Sequence, residues 1–120
     1  MLSTTLGKTM RVGAAYREKG MTLVFKIQRN VNFFIDRDDT MTIKHATGIM
    51  YLGCTRSSSY SALHSIDDGY FNAAYFNITD EQKKELIEND PLSINFIGQD
   101  FKVKNKKAIR KALTYFREKR

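Results

Sequence analysis

Four short apolar runs, at residues 21–28, 31–36, 40–45 and 49–54, follow one another with connections of only a few residues. Parallel pairing needs a crossover of about a dozen residues or more, so runs spaced like this are expected to pair antiparallel, as a meander. In the first run Met21, Leu23, Phe25 and Ile27 alternate with Thr22, Val24, Lys26 and Gln28, the period of a strand with one buried face. Arg37-Asp38-Asp39 is the strongest turn signal among the connections. Further on, Tyr70-Phe71-Asn72-Ala73 is echoed by Tyr75-Phe76-Asn77-Ile78. The offset is odd, so the two aromatic pairs point to opposite faces, and residues 70–78 are expected to form an interior strand.

Helical signals are fewer. Residues 57–66 carry Tyr60, Leu63 and Ile66 at helical spacing and are read as a short helix after a polar junction. Thr79-Asp80-Glu81-Gln82 is a capping box opening a helix to about Asn89, which Pro91 prevents from continuing. Its apolar content is Leu86 and Ile87, so it is placed on the surface. Residues 92–97 and 101–104 read as a hairpin around Gly98-Gln99-Asp100, with Lys102 and Lys104 alternating on its second strand. Asn105 is the expected cap of a last helix, from Lys106 to about Lys119. In that helix Ala108, Ile109, Ala112, Leu113 and Phe116 form an apolar stripe, with Lys107, Arg110, Lys111 and Thr114 facing away from it. The fold class is therefore α+β: one domain over residues 1–120, with an antiparallel sheet of five to seven strands and three or four helices. The basic amphipathic C-terminal helix is expected to pack on the sheet.

The charge of this chain is segregated. Residues 99–120 hold nine basic side chains against Asp100 and Glu118, a net of +7, which is the net charge of the whole protein. Residues 1–35 carry +5 and residues 36–98 carry −5. A basic end of this kind favours a polyanion or an acidic partner surface. Lys102, Lys104, Lys107, Arg110, Lys111 and Arg117 are the candidate phosphate contacts, and Tyr115 is a candidate stacking residue beside them. No zinc spacing or recognition-helix motif accompanies them, so base-specific readout is not expected. A second candidate anion site is Arg56, Ser57 and Ser58, where the expected strand-to-helix junction would turn amides toward a ligand.

Catalytic signals are thin. His45 and His64 are the two histidines, and Cys54 is the one cysteine, which excludes an internal disulfide. Cys54, Asp67 and Asp68 add to the histidines at no recognised metal spacing, so no metal and no cofactor are expected. Leu6-Gly7-Lys8-Thr9 is similar to the end of a phosphate-binding loop, but Leu2 stands where that loop needs its first glycine. The amino-terminal residues lack the apolar stretch of a signal peptide, and no run is long enough to span a bilayer. The expectation is a cytoplasmic protein that binds nucleic acid without catalysis, largely through the phosphate backbone, and does not engage a membrane. The alternative is an inhibitor, adaptor or assembly module meeting an acidic protein surface. A third reading, a small phosphodiesterase or nucleotide-handling enzyme, rests on His45, Arg56 and His64.

Overall fold

The computed structural model describes residues 3–7, 9–17, 20–29, 35–61 and 70–119. They form two antiparallel sheets and two helices. The first sheet has the order β1-β2-β3-β7-β6, from β1 (Ser3–Gly7), β2 (Met10–Arg17), β3 (Gly20–Arg29), β7 (Tyr70–Ile78) and β6 (Arg56–Ser61). The second has the order β5-β4-β8-β9, from β5 (Gly48–Gly53), β4 (Thr40–His45), β8 (Pro91–Phe96) and β9 (Gln99–Lys102). Helix α1 (Asp80–Glu88) lies between β7 and β8 in the chain, and α2 (Ala108–Lys119) follows β9. The α+β class and the antiparallel pairing are as the sequence implies.

The expected single sheet is corrected to two, and the expected meander is broken after its first strand. β3 pairs with β2 and β7, while β4 pairs with β5 and β8 in the other sheet. The change of sheet falls between residues 29 and 40. Of the third expected run, 31–36, residues 31–34 lie outside the described residues, and Ile35 and Asp36 belong to no strand. Asp38 sits at φ 77° in the Arg37–Asp38 turn, where an aspartate tolerates the left-handed region better than most residues. The expected helix at 57–66 is also corrected. Residues 56–61 are strand β6, paired along β7 from Arg56↔Tyr75 to Ser61↔Tyr70, and residues 62–69 lie outside the described residues.

Both sheets contribute to one core. Along β3, Leu23, Phe25 and Ile27 are fully buried, and Ile43, Met41 and Leu52 answer from the second sheet. Thr22 and Val24 are buried as well, so β3 has two buried faces there rather than the expected one. Phe76 is the aromatic bridge: its ring meets Phe25 edge-on at 5.5 Å on its own sheet and Phe96 at 5.6 Å on the other. β7 is an interior strand, as expected, lying between β3 and β6.

Helix α1 starts on the capping box read from the sequence. Thr79 Oγ1 accepts from the Gln82 amide at 3.1 Å, and Gln82 Oε1 accepts from the Thr79 amide at 2.9 Å. Leu86 is fully buried and the acids Asp80, Glu81 and Glu88 are exposed. Thr79→Ala removes one half of this reciprocal pair and is expected to destabilise the protein by about 1 kcal/mol, visible as a melting temperature lowered by ~4 °C in a calorimetric scan.

The hairpin before α2 turns at Ile97–Gly98, one residue earlier than the sequence suggests, because Phe96 pairs with Gln99. Both turn residues have positive φ, 50° at Ile97 and 71° at Gly98, as a tight primed turn demands. Glycine meets that demand freely. Ile97 is a β-branched residue in the left-handed region, offset by its packing against the core.

Candidate nucleic-acid interface

The basic segment is held in place by the first strand of the protein. The Leu6 carbonyl accepts from the Lys104 amide at 2.9 Å and from the Asn105 amide at 3.1 Å. A few residues back, Gly7 lies so close to the Lys102 carbonyl oxygen that a Cβ built on it would overlap that atom. Lys104 therefore lies beyond the end of β9, on the link pinned to β1, and does not alternate with Lys102 on one strand. Helix α2 begins at Ala108, two residues later than the expected Lys106, and Asn105 holds the turn ahead of it. Its Oδ1 accepts from the Lys107 amide at 3.2 Å, and its carbonyl accepts from the Ala108 amide at 3.2 Å.

From there α2 buries Ala108, Ile109, Ala112 and Leu113 against β1, β2 and α1. The opposite face follows from the helical period. Lys102, Lys104, Lys106, Lys107 and Lys111 are all exposed, with Lys107 and Lys111 one turn apart. The first turn of α2 contains no acid. Lysines at that end oppose the helix dipole, which favours carboxylates there. Helix stability thus gives no reason for Lys106 and Lys107 to be basic.

Arg110 differs from its neighbours. It is half-buried, and its guanidinium donates to Asp90 Oδ2 at 3.5 Å. The other oxygen of Asp90 is buried and has no hydrogen-bond partner among the described residues. Arg110 is therefore a counter-charge to Asp90 as well as a member of the basic face. Tyr115 and Arg117 belong to α2, and their side chains lie outside the described residues. An open cleft of about 400 Å³ borders the basic link, between Gly7, Thr9 and Met10 on one side and Phe101, Lys102 and Lys104 on the other.

The second candidate site does not form as expected. Arg56, Ser57 and Ser58 are strand residues, so no helix start turns its amides toward a ligand. Ser57 Oγ donates to the Ile35 carbonyl at 2.6 Å, and the Arg56 guanidinium stands 4.2 Å over the ring of Tyr75, its cross-strand partner. The side chain of Ser58 lies outside the described residues.

His45 has a structural set of partners that sequence spacing did not reveal. The Thr47 amide donates to His45 Nδ1 at 3.3 Å. An amide can only donate, so in this arrangement Nδ1 is the acceptor and Nε2 carries the proton to Glu85 Oε2 at 2.9 Å. Thr47 Oγ1 also donates to Asn89 Oδ1 at 3.1 Å, and Asn89 Nδ2 donates to the Glu85 carbonyl at 3.0 Å. The group fastens the β4–β5 turn to α1. His45 and Arg56 stand in different sheets, and His64 lies outside the described residues.

Cys54 is buried and its thiol donates to the Arg56 carbonyl at 3.1 Å. Burial pushes the thiol above its usual range, which keeps it protonated and a poor nucleophile at neutral pH. No group of three or more His, Cys, Asp or Glu side chains fit to hold a metal ion occurs among the described residues. Gly7 ends β1 and pairs with Met10, the first residue of β2, so a strand and not the helix of a phosphate-binding loop follows. Among the described residues, no helix is long and apolar enough to cross a membrane.

Comparison with protein-family models, with curated proteins and with solved structures finds no match for this chain.

Proposed function

We propose that the protein binds nucleic acid without catalysis, through phosphate contacts from Lys102, Lys104, Lys107 and Lys111, with Arg110, Arg117 and Tyr115 further along the same helix. One observation supports this above the others. Lys106 and Lys107 are exposed in the turn that leads into α2, where they oppose the dipole of that helix, with Lys102 and Lys104 exposed just before them. A positive helix end adds its field to that of these side chains, which suits a phosphate.

The test is fluorescence anisotropy of a short single strand and a short duplex across a salt series, with Lys107→Glu/Lys111→Glu as the variant. Both side chains are exposed, so the circular-dichroism spectrum should not change. Arg110 is left intact because its reversal would set a carboxylate beside Asp90. The wild-type slope of log affinity against log salt on duplex should be about −3 to −4 for four phosphate contacts, and the double reversal should flatten it by roughly two. Unchanged affinity in the variant would remove the reading. Absence of binding to either probe at low salt would leave an acidic protein surface as the partner of this face.

A further inference from the structure

Each of the two sheets ends in two edge strands, and among the described residues three of the four carry a charge, a partial cover or an irregular register. β1 is covered where Leu6 accepts the Lys104 and Asn105 amides, and its register with β2 is irregular between Thr5 and Gly7. β6 is met by the segment before β4, through the Ser57 bond to Ile35. β9 is only four residues long and carries Asp100 and Lys102. Short length, charge, irregular register and cover are the usual means of keeping an edge from pairing with another chain.

β5 has none of them. Its sequence, Gly48-Ile49-Met50-Tyr51-Leu52-Gly53, contains no charge and no proline, and its register with β4 runs unbroken from His45↔Gly48 to Thr40↔Gly53. The two-residue turn Ala46–Thr47 makes His45/Gly48 a hydrogen-bonded pair, so the bonds to β4 recur at Met50 and Leu52. The backbone groups of Ile49 and Tyr51 then point away from the sheet, and among the described residues nothing pairs with them. Their side chains are exposed as well, Ile49 by 50% and Tyr51 by 62%, while Met50 and Leu52 go into the core.

We propose that this edge pairs antiparallel with β5 of a second copy of the chain. A second copy suits it better than a charged partner because β5 has no charge to offer one. Two chains of +7 can also meet here, since the strongly basic link and helix follow β9, at the opposite edge of the same sheet. Beyond Gly53 the chain turns toward β7, where the Thr55 amide donates to the Tyr75 carbonyl, so the open stretch is centred on Met50. Two-fold pairing about Met50 sets Ile49 of one copy opposite Tyr51 of the other, twice. Aromatic and β-branched residues make a favoured cross-strand pair, and the contact is isologous and closes on itself.

The test is sedimentation across a protein concentration series, with amide exchange on the same samples. The wild-type protein should shift from monomer to dimer as concentration rises. The Ile49 and Tyr51 amides should gain protection over the same range, while those of Met50 and Leu52, bonded to β4, are protected throughout. Tyr51→Lys puts a charge on the edge at an exposed position and should be monomeric over the full range, with the melting temperature of the dilute wild-type protein. Ile49→Lys repeats the test if the first variant folds poorly. A wild-type protein that stays monomeric would overturn the proposal. So would a dimer that survives both substitutions, or one that leaves the Ile49 and Tyr51 amides unprotected.

Discussion

Phe76→Ala is expected to lower the stability of the protein by about 3–5 kcal/mol, a large share of the ~5–15 kcal/mol that holds a typical domain together. The ring is fully buried and touches a phenylalanine on each sheet. Its loss removes apolar burial and both edge-to-face contacts at once, and the cavity lies between two sheets whose backbones are fixed by their own ladders. Collapse around it is therefore limited, and the cost belongs at the upper end of the range. Thermal denaturation followed by circular dichroism should show a melting temperature lower by ~12–20 °C. Phe76→Leu keeps most of the volume and should recover more than half of the loss. A drop of only a few degrees in the alanine variant would mean that the two sheets do not share this contact.

Gly7→Ala is expected to cost about 1–3 kcal/mol through a single added methyl group. The new Cβ would meet the Lys102 carbonyl oxygen, which is backbone and cannot rotate away. Either β1 or the link after β9 must move, and the two amide bonds to the Leu6 carbonyl weaken with it. The methyl group thus acts on the basic segment as well as on stability. If nucleic acid is bound there, affinity should fall along with the melting temperature, although no charge has changed. Gly53→Ala is the matched control: nothing lies within 4 Å of a Cβ at that position, so it should melt within a degree or two of the wild type. Equal melting temperatures for the two variants would show that the strand and the link are not in contact.

Much of the architecture was legible from local pattern, and the parts that were not have specific causes. β3, β4 and β7 are legible because large apolar side chains mark buried positions, whereas β5 is apolar throughout and its sequence did not separate the exposed Ile49 and Tyr51 from the buried Met50 and Leu52. β2 is a strand of equal standing that pattern did not reveal. Its core residues are Met10, Val12 and Ala14, interleaved with Gly13 and Ala15, and small side chains mark neither face strongly and favour strands weakly. β6 reads as the start of a helix over 57–66 because Tyr60, Leu63 and Ile66 stand at helical spacing, and its strand state comes from pairing with the neighbouring β7. The assignment of strands to two sheets depends on residues 30–39, where no periodicity carries that information.

The candidate interface divides in the same way. The exposure of Lys107 and Lys111 followed from the helical period of the apolar stripe opposite them. The pairing of Arg110 with Asp90, and of His45 with Glu85, joins residues far apart in the chain that only the folded topology brings together.

The Leu6 carbonyl, which receives the Lys104 and Asn105 amides, also sets the order in which the molecule can be completed. On the ribosome β1 emerges well before the link that bonds to it, and α2 emerges after the link. β1 and β2 can pair early, but the apolar surface that α2 covers stays open until α2 itself has been made. Contacts this distant in sequence form late and slow the search for the native state. Until α2 has emerged the nascent chain exposes Leu6 and Met10, and it is then, rather than in the finished protein, that this sheet depends most on protection from its neighbours.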